Sequence, residues 1–125
     1  MSEWTSGDLT RIGNAEELEI ASVRPDGARR KPVTIWVVRD GASLYVRSVK
    51  GPSSGWFRGT QERHEGRVRA SGVEKDVTFV TADQAINDKV DAAYRAKYRR
   101  YAGSILNSVL TPQARSTTIK LVPRT

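Results

Sequence analysis

RRKPVTIWVVRDGASLYVRSVKG, residues 29–51, holds two runs rich in β-branched and aromatic residues on either side of Asp40-Gly41. Such runs flanking an Asp-Gly pair predict a β-hairpin with a tight loop. Whether the loop holds two residues or four, strand alternation places Val33, Ile35, Val37, Leu44 and Val46 on one face and Thr34, Trp36, Tyr45 and Arg47 on the other. Trp36 and Tyr45 are then cross-strand neighbours. The first face is core. The second is aromatic and cationic, too apolar to face plain solvent, so it is expected to meet another layer, a second subunit or a ligand, and it is assigned to the interface of a homodimer.

Working outward, Leu18 and Ile20 alternate with Glu17 and Glu19, which predicts a half-buried strand over residues 17–24 before the turn Pro25-Asp26-Gly27. Thr5 or Ser6 is a candidate N-cap for a short helix that stops near Gly13. Residues 56–62 fit a short helix. Residues 67–71 and 76–80 read as strands about the break at Gly72, and residues 117–122 as a last strand. Thr81 and Gln84 have the spacing of a capping box. They are expected to open a helix carrying Ile86, Val90, Ala93, Tyr94 and Tyr101 on one face, followed by a short helix at 104–110. The connections before residue 83 are too short for parallel crossovers. The class is therefore α+β, with six antiparallel strands in a small barrel or half-open sheet and peripheral helices.

The 125 residues suffice for one domain, 1–125. With 38% hydrophobic and 28% charged residues the chain has a globular composition. No apolar run approaches a membrane span and the start lacks the blocks of a signal peptide, so the expected location is cytoplasmic. There is no cysteine and only one histidine, His64. That excludes disulfide scaffolds, thiolate zinc sites and cysteine nucleophiles, and no metal site is expected. Asp83, Asp88 and Asp91 are explained by the helix dipole and a solvated face.

The net charge is +7 and the pI near 10.1. Residues 24–69 contribute most of it, with eleven basic and four acidic groups. Such a field admits nucleic acid, an anionic membrane surface or a phosphorylated cofactor. Arg29, Arg30 and Lys31 precede the hairpin and Arg47, Ser48, Lys50 and Gly51 follow it. Hairpin ends meet, so five cations, a hydroxyl and loop N–H groups gather in a patch suited to a phosphate ester. The competing reading makes them solvated charges guarding a sheet edge. Trp56, one loop downstream, either stacks on an aromatic ring held by that patch or packs in the core. Cations along the long helix, Lys89 and Arg95 among them, could touch nucleic acid, though Tyr94, Tyr98 and Tyr101 between them have the spacing of packing residues.

The order of basic turn, RRKPVTIWVV, DG, SLYVRSVKG, small-residue loop and Trp56 resembles the flavin- and deazaflavin-binding split β-barrel proteins, the superfamily of pyridoxamine phosphate oxidase. Its nearest characterised branch is the deazaflavin-dependent nitroreductases. Together with GVEKDVTF, DAAYRAKY and TTIKLVPR, the hairpin is most similar to an uncharacterised bacterial family of about this length in the same clan. The resemblance implies a six-stranded antiparallel split β-barrel that pairs as a homodimer, with FMN or deazaflavin in the cleft between subunits. It implies phosphate contacts from Arg30, Lys31, Ser48, Lys50 and Gly51, with Thr34 and Trp56 beside the ring; from the hairpin reading, Arg47 joins the phosphate set and Trp36 the ring set. The implied activity is a nitroreductase-like oxidoreductase in which the cofactor does the hydride chemistry and no catalytic residue is assigned. Phe57, Arg58 and Gly59 stand where the nitroreductase branch usually has an asparagine. The alternatives are a non-redox small-molecule or protein-binding module on the same barrel and, behind it, a nucleic-acid binder.

Overall fold

The computed structural model describes residues 3–124. Helix α1 (Ser6–Asn14) is followed by β1 (Leu18–Ser22), β2 (Val33–Ile35), β3 (Val38–Asp40) and β4 (Ser43–Val46). A 3-10 turn, Gly51–Ser53, leads into α2 (Gly55–Arg63), then β5 (Glu65–Ala70) and β6 (Val73–Thr81). The chain continues through α3 (Asn87–Lys97), α4 (Ser104–Asn107) and α5 (Pro112–Arg115) to β7 (Ile119–Pro123). All pairings are antiparallel and the strand order is β2-β1-β5-β6-β7-β4-β3.

Two strands that are neighbours in the chain thus stand at opposite edges of one sheet. Only Trp36 and Val37 separate β2 from β3. That connection reaches at most about 11 Å, whereas the two edges of a flat seven-stranded sheet would lie roughly 29 Å apart. The sheet must therefore curl until its edges meet, giving a half-barrel. Its interior is filled by Leu18, Ile20, Val37, Leu44, Val46, Val68, Val77, Phe79, Ile119 and Leu121, with α1 closing one end through Leu9 and Ile12. A second apolar cluster lies outside the barrel. There α3 and the segment after it set Val90, Tyr94, Tyr98, Leu106 and Val109 against Val38, Tyr45 and Trp36.

The expected hairpin is half right. Asp40 pairs with Ser43 across a two-residue loop, but the run 33–40 is split: β3 pairs with β4 while β2 turns to β1. Strand count is therefore seven instead of six, and Tyr45 pairs with Val38 in place of Trp36. The division into faces survives for Ile35, Val37, Leu44 and Val46, which pack in the barrel. Val33 is exposed because β2 is an edge. Tyr45 and Arg47 are buried beneath α3 of the same chain, so those two are closed to the subunit interface expected of them.

The capping box also fails. Thr81 is still in the β6 ladder opposite Ile119, and the side chain that caps the following turn belongs to Asp83, which accepts from the Ala85 N–H at 2.9 Å. Thr5 caps α1 as expected, accepting from the Asp8 N–H. Asp83→Ala should accordingly lower stability by about 1 kcal/mol while Thr81→Ala leaves the helix start intact. Urea denaturation midpoints of the two variants check this.

Candidate functional site

A cavity of about 610 Å³ opens where the curled edges approach. Its walls come from β2 with the residue after it (Val33, Thr34, Ile35, Trp36), from the end of β4 and its loop (Arg47, Ser48, Val49, Lys50), from the start of α2 (Ser54, Gly55, Trp56) and from Ile105, Ser108 and Val109. Glu17 is the one carboxylate in the lining. A volume of that size accommodates a cofactor-sized ligand.

Thr34, Trp36, Arg47, Ser48, Lys50 and Trp56 thus share one cleft. They are gathered by barrel closure: Thr34 and Lys50 lie far apart in strand order and meet because the sheet curls. Gly51 stands just behind the lining in a left-handed turn (φ 77°), where a Cβ would run into the Gln113 side chain. Gln113 Nε2 donates to the Lys50 carbonyl at 2.7 Å and fixes that turn. Arg30 and Lys31 are outside the lining. Arg30 lies along α2 with its guanidinium on Glu62 at 3.0 Å, and Lys31 is in solvent.

Arg47 has a role that the sequence did not disclose. Its side chain has no solvent exposure, and a guanidinium has five N–H donors. Nε donates to Thr118 Oγ1, Nη1 to Asp91 Oδ1 at 2.5 Å and to the Val109 carbonyl, and Nη2 to the Asn87 carbonyl and Oδ1. All five are taken, leaving none for a ligand. Arg47, just after β4, is instead tied to α3, to Thr118 just before β7 and to the Val109 wall of the cleft. Asp91 is nearly buried, held by Arg47 and by Arg115 Nε at 3.2 Å, and is no part of a solvated face. Its signal was available: Asn87 and Asp91 stand four apart, beside Val90 and Tyr94 on the apolar side of α3.

Polar groups left for a ligand are few. Ser48 Oγ is within reach of the Gly51 carbonyl and Ser54 Oγ, and Ser54 Oγ accepts from the Phe57 N–H. The first N–H groups of α2, at Gly55 and Trp56, have no partner within the helix. Lys50 is exposed at the mouth, without a carboxylate partner among the described residues. The aromatic contribution is larger. Trp36 stacks on Tyr98 with ring centres 3.9 Å apart and planes 5° off parallel, and Trp56 meets Phe57 edge to face. Breaking the buried pair leaves a charge without its partner, so Asp91→Ala should destabilise the protein by about 3–5 kcal/mol. Asp88, 94% exposed and paired with Arg115, provides the contrast: Asp88→Ala should cost under about 1 kcal/mol. Chemical denaturation of both variants measures the difference.

An antiparallel half-barrel with helices packed outside it and a cleft at the closure is a split-barrel fold. The solved structures agree. An F420 reductase is similar over 97% of this chain and 94% of its own, at 19% identity and a TM-score of 0.57. A candidate pyridoxamine 5′-phosphate oxidase from Listeria innocua is similar over 94% of this chain and 90% of its own, at 15% identity and 0.64. An FAD-binding protein from Mesorhizobium loti is similar over 98% and 91%, at 15% identity and 0.58. The chain belongs to the family of uncharacterized proteins conserved in bacteria, DUF2255, whose model matches residues 8–121. No curated protein matches the chain in sequence.

Proposed function

We propose that the cleft binds a flavin-type cofactor, FMN or a deazaflavin, and that the protein is a small oxidoreductase of the nitroreductase kind. The observation that carries the reading is the cleft itself: an aromatic and aliphatic slot between Trp36 and Trp56 with a free lysine at its mouth. The fit is chemical as well as spatial. A flat, largely apolar ring matches walls made of Thr34, Ile35, Trp36 and Trp56. A phosphate matches Lys50 beside the unpaired N–H groups opening α2. Among split-barrel neighbours, one is an F420 reductase and another an FAD-binding protein, which supports a ligand of this class.

When bound, such a ring supplies hydride chemistry. The chain's own residues orient it and exclude water. Trp36 and Trp56 present aromatic surface, Lys50 holds the charge at the mouth, and Arg47 keeps the Val109 wall in place with its buried bonds. Arg30, paired with Glu62 of α2, and the exposed Lys31 stand outside the lining and add to the protein's positive field without direct contacts.

A second copy of the chain completes the site in this reading. Four large hydrophobic residues are exposed among those described, and three of them, Val33, Val49 and Ile105, rim the cleft. Covering that rim with its counterpart on another subunit removes apolar surface from water and closes the slot. Light scattering at micromolar concentration is expected to give a dimer, and Ile105→Asp to shift it towards monomer.

Titration with FMN and riboflavin tests the site. One charge-assisted bond contributes about 1.5–3 kcal/mol, so Lys50→Ala should weaken FMN binding roughly ten-fold or more. Riboflavin, which lacks the phosphate, should be affected far less. Lys120→Ala makes the same change in net charge in β7 and should leave FMN binding unchanged. Equal losses from both substitutions, or equal losses for both ligands, would remove the phosphate site.

A further inference from the structure

Val37 lies where the chain leaves one edge of the sheet for the other, so it has no strand to pair with. Both of its backbone polar groups are met by side chains from the end of α3. The Val37 N–H donates to the Tyr98 hydroxyl at 3.2 Å, and Lys97 Nζ donates to the Val37 carbonyl at 2.6 Å. The Tyr98 hydroxyl in turn lies 3.1 Å from that carbonyl and 2.8 Å from the carbonyl of Glu16. The Tyr98 ring is the one stacked on Trp36, and the Lys97 ammonium sits over that ring, 5.1 Å from its centre.

We infer that Lys97 and Tyr98 are positioning residues for the cleft: they strap down the backbone that follows Trp36 and so fix the tryptophan that forms its aromatic wall. The case rests on geometry that no strand ladder explains. A buried peptide group without partners is costly, and here two consecutive side chains of one helix end supply them. Neither residue lines the cavity, so neither touches its occupant. The inference concerns the wall and holds for any flat ligand.

The surroundings give the strap a pH dependence. Glu16, on the link between α1 and β1, accepts from the Tyr101 hydroxyl and from Arg100, and the Tyr101 bond is the leading cause that holds its carboxyl below the ordinary value. Glu17 lies on the same link, and Arg100 and Tyr101 on the turn after α3. Burial lowers the Lys97 ammonium to about 8, against the field of Glu16, and burial raises the Tyr98 phenol out of the titrating range. A lysine whose folded pKa is below its unfolded value disfavours the fold while both states are charged. Stability from this group alone therefore rises with pH from about 8 to roughly 10.5. As pH rises through about 8, the ammonium that grips Val37 becomes a weaker, neutral donor. Local order at Trp36 and global stability are expected to move in opposite directions.

The test reads Trp36 alone, in a full-length Trp4→Phe, Trp56→Phe protein, by emission and acrylamide quenching. With Lys97 present, quenching should step up with a midpoint near pH 8. Lys97→Met should abolish the step and leave Trp36 more accessible at neutral pH. Lys97→Arg, which stays charged, should keep Trp36 protected well above that midpoint. Tyr98→Phe preserves the ring stack but frees the Val37 N–H, and should increase quenching while retaining the step. Unchanged quenching in Lys97→Met, or a step that persists in it, overturns the inference. Because no ligand is used, these results are independent of whether riboflavin binds. A riboflavin titration of the Lys97 and Tyr98 substitutions made singly in the native sequence, which keeps Trp56, then separates a failed strap from a failed cofactor assignment.

Discussion

Two residues of chain, Trp36 and Val37, join strands that belong to opposite edges of a seven-stranded sheet, and the rest of the molecule follows from that constraint. A connection so short closes the sheet, since a flat arrangement would place its ends far beyond reach. Closure encloses an apolar interior around Phe79, Leu44 and Val46. It also leaves an outer face of Val38, Tyr45 and Trp36 that must be covered. Helix α3 covers it, and the seam where the two edges meet becomes the cleft.

Arg47 makes the outer layer permanent. Burying a guanidinium is unfavourable unless every donor is matched and its charge is balanced, and here both conditions hold through Asp91, Asn87, Thr118 and the Val109 carbonyl. The bonds reach three separate parts of the chain, so the pair fixes how α3 and the segment around Val109 sit on the barrel. A residue that composition suggests as a phosphate ligand is thereby part of the frame. Lys50 and Gly55 at the start of α2, by contrast, lie in the open.

Much of this was legible in the sequence because it depends on local rules. Alternation at Leu18 and Ile20, the turn at Asp40-Gly41, the N-cap at Thr5 and the helical spacing of Val90 and Tyr94 each reflect a period or a turn preference. What was hidden depends on partners distant in sequence. The continuous run of β-branched and aromatic residues 33–38 carries no mark of the break after Ile35, because the break is imposed by which strands the two halves meet. Thr81 and Asp83 are both good caps, and only the length of β6 decides between them. Asp91 looked solvated until Arg47 was placed opposite it. Thr34, Ser48, Lys50 and Trp56 are marked by the likeness to split barrels and Trp36 by its place on the hairpin, whereas Arg30 is held by Glu62. Ile105 and Val109 were missed because no motif marks a wall supplied by a loop between short helices.

Mapping FMN onto the protein by amide chemical-shift changes tests the account most directly. Shifts that saturate together at Thr34, Trp36, Lys50, Gly55 and Trp56, with β5 and β6 unmoved, are what it predicts. Shifts centred on the charged outer face of the sheet at Arg67 and Arg69, fading as salt is raised, would contradict it and make the cleft a structural seam with no ligand of this class.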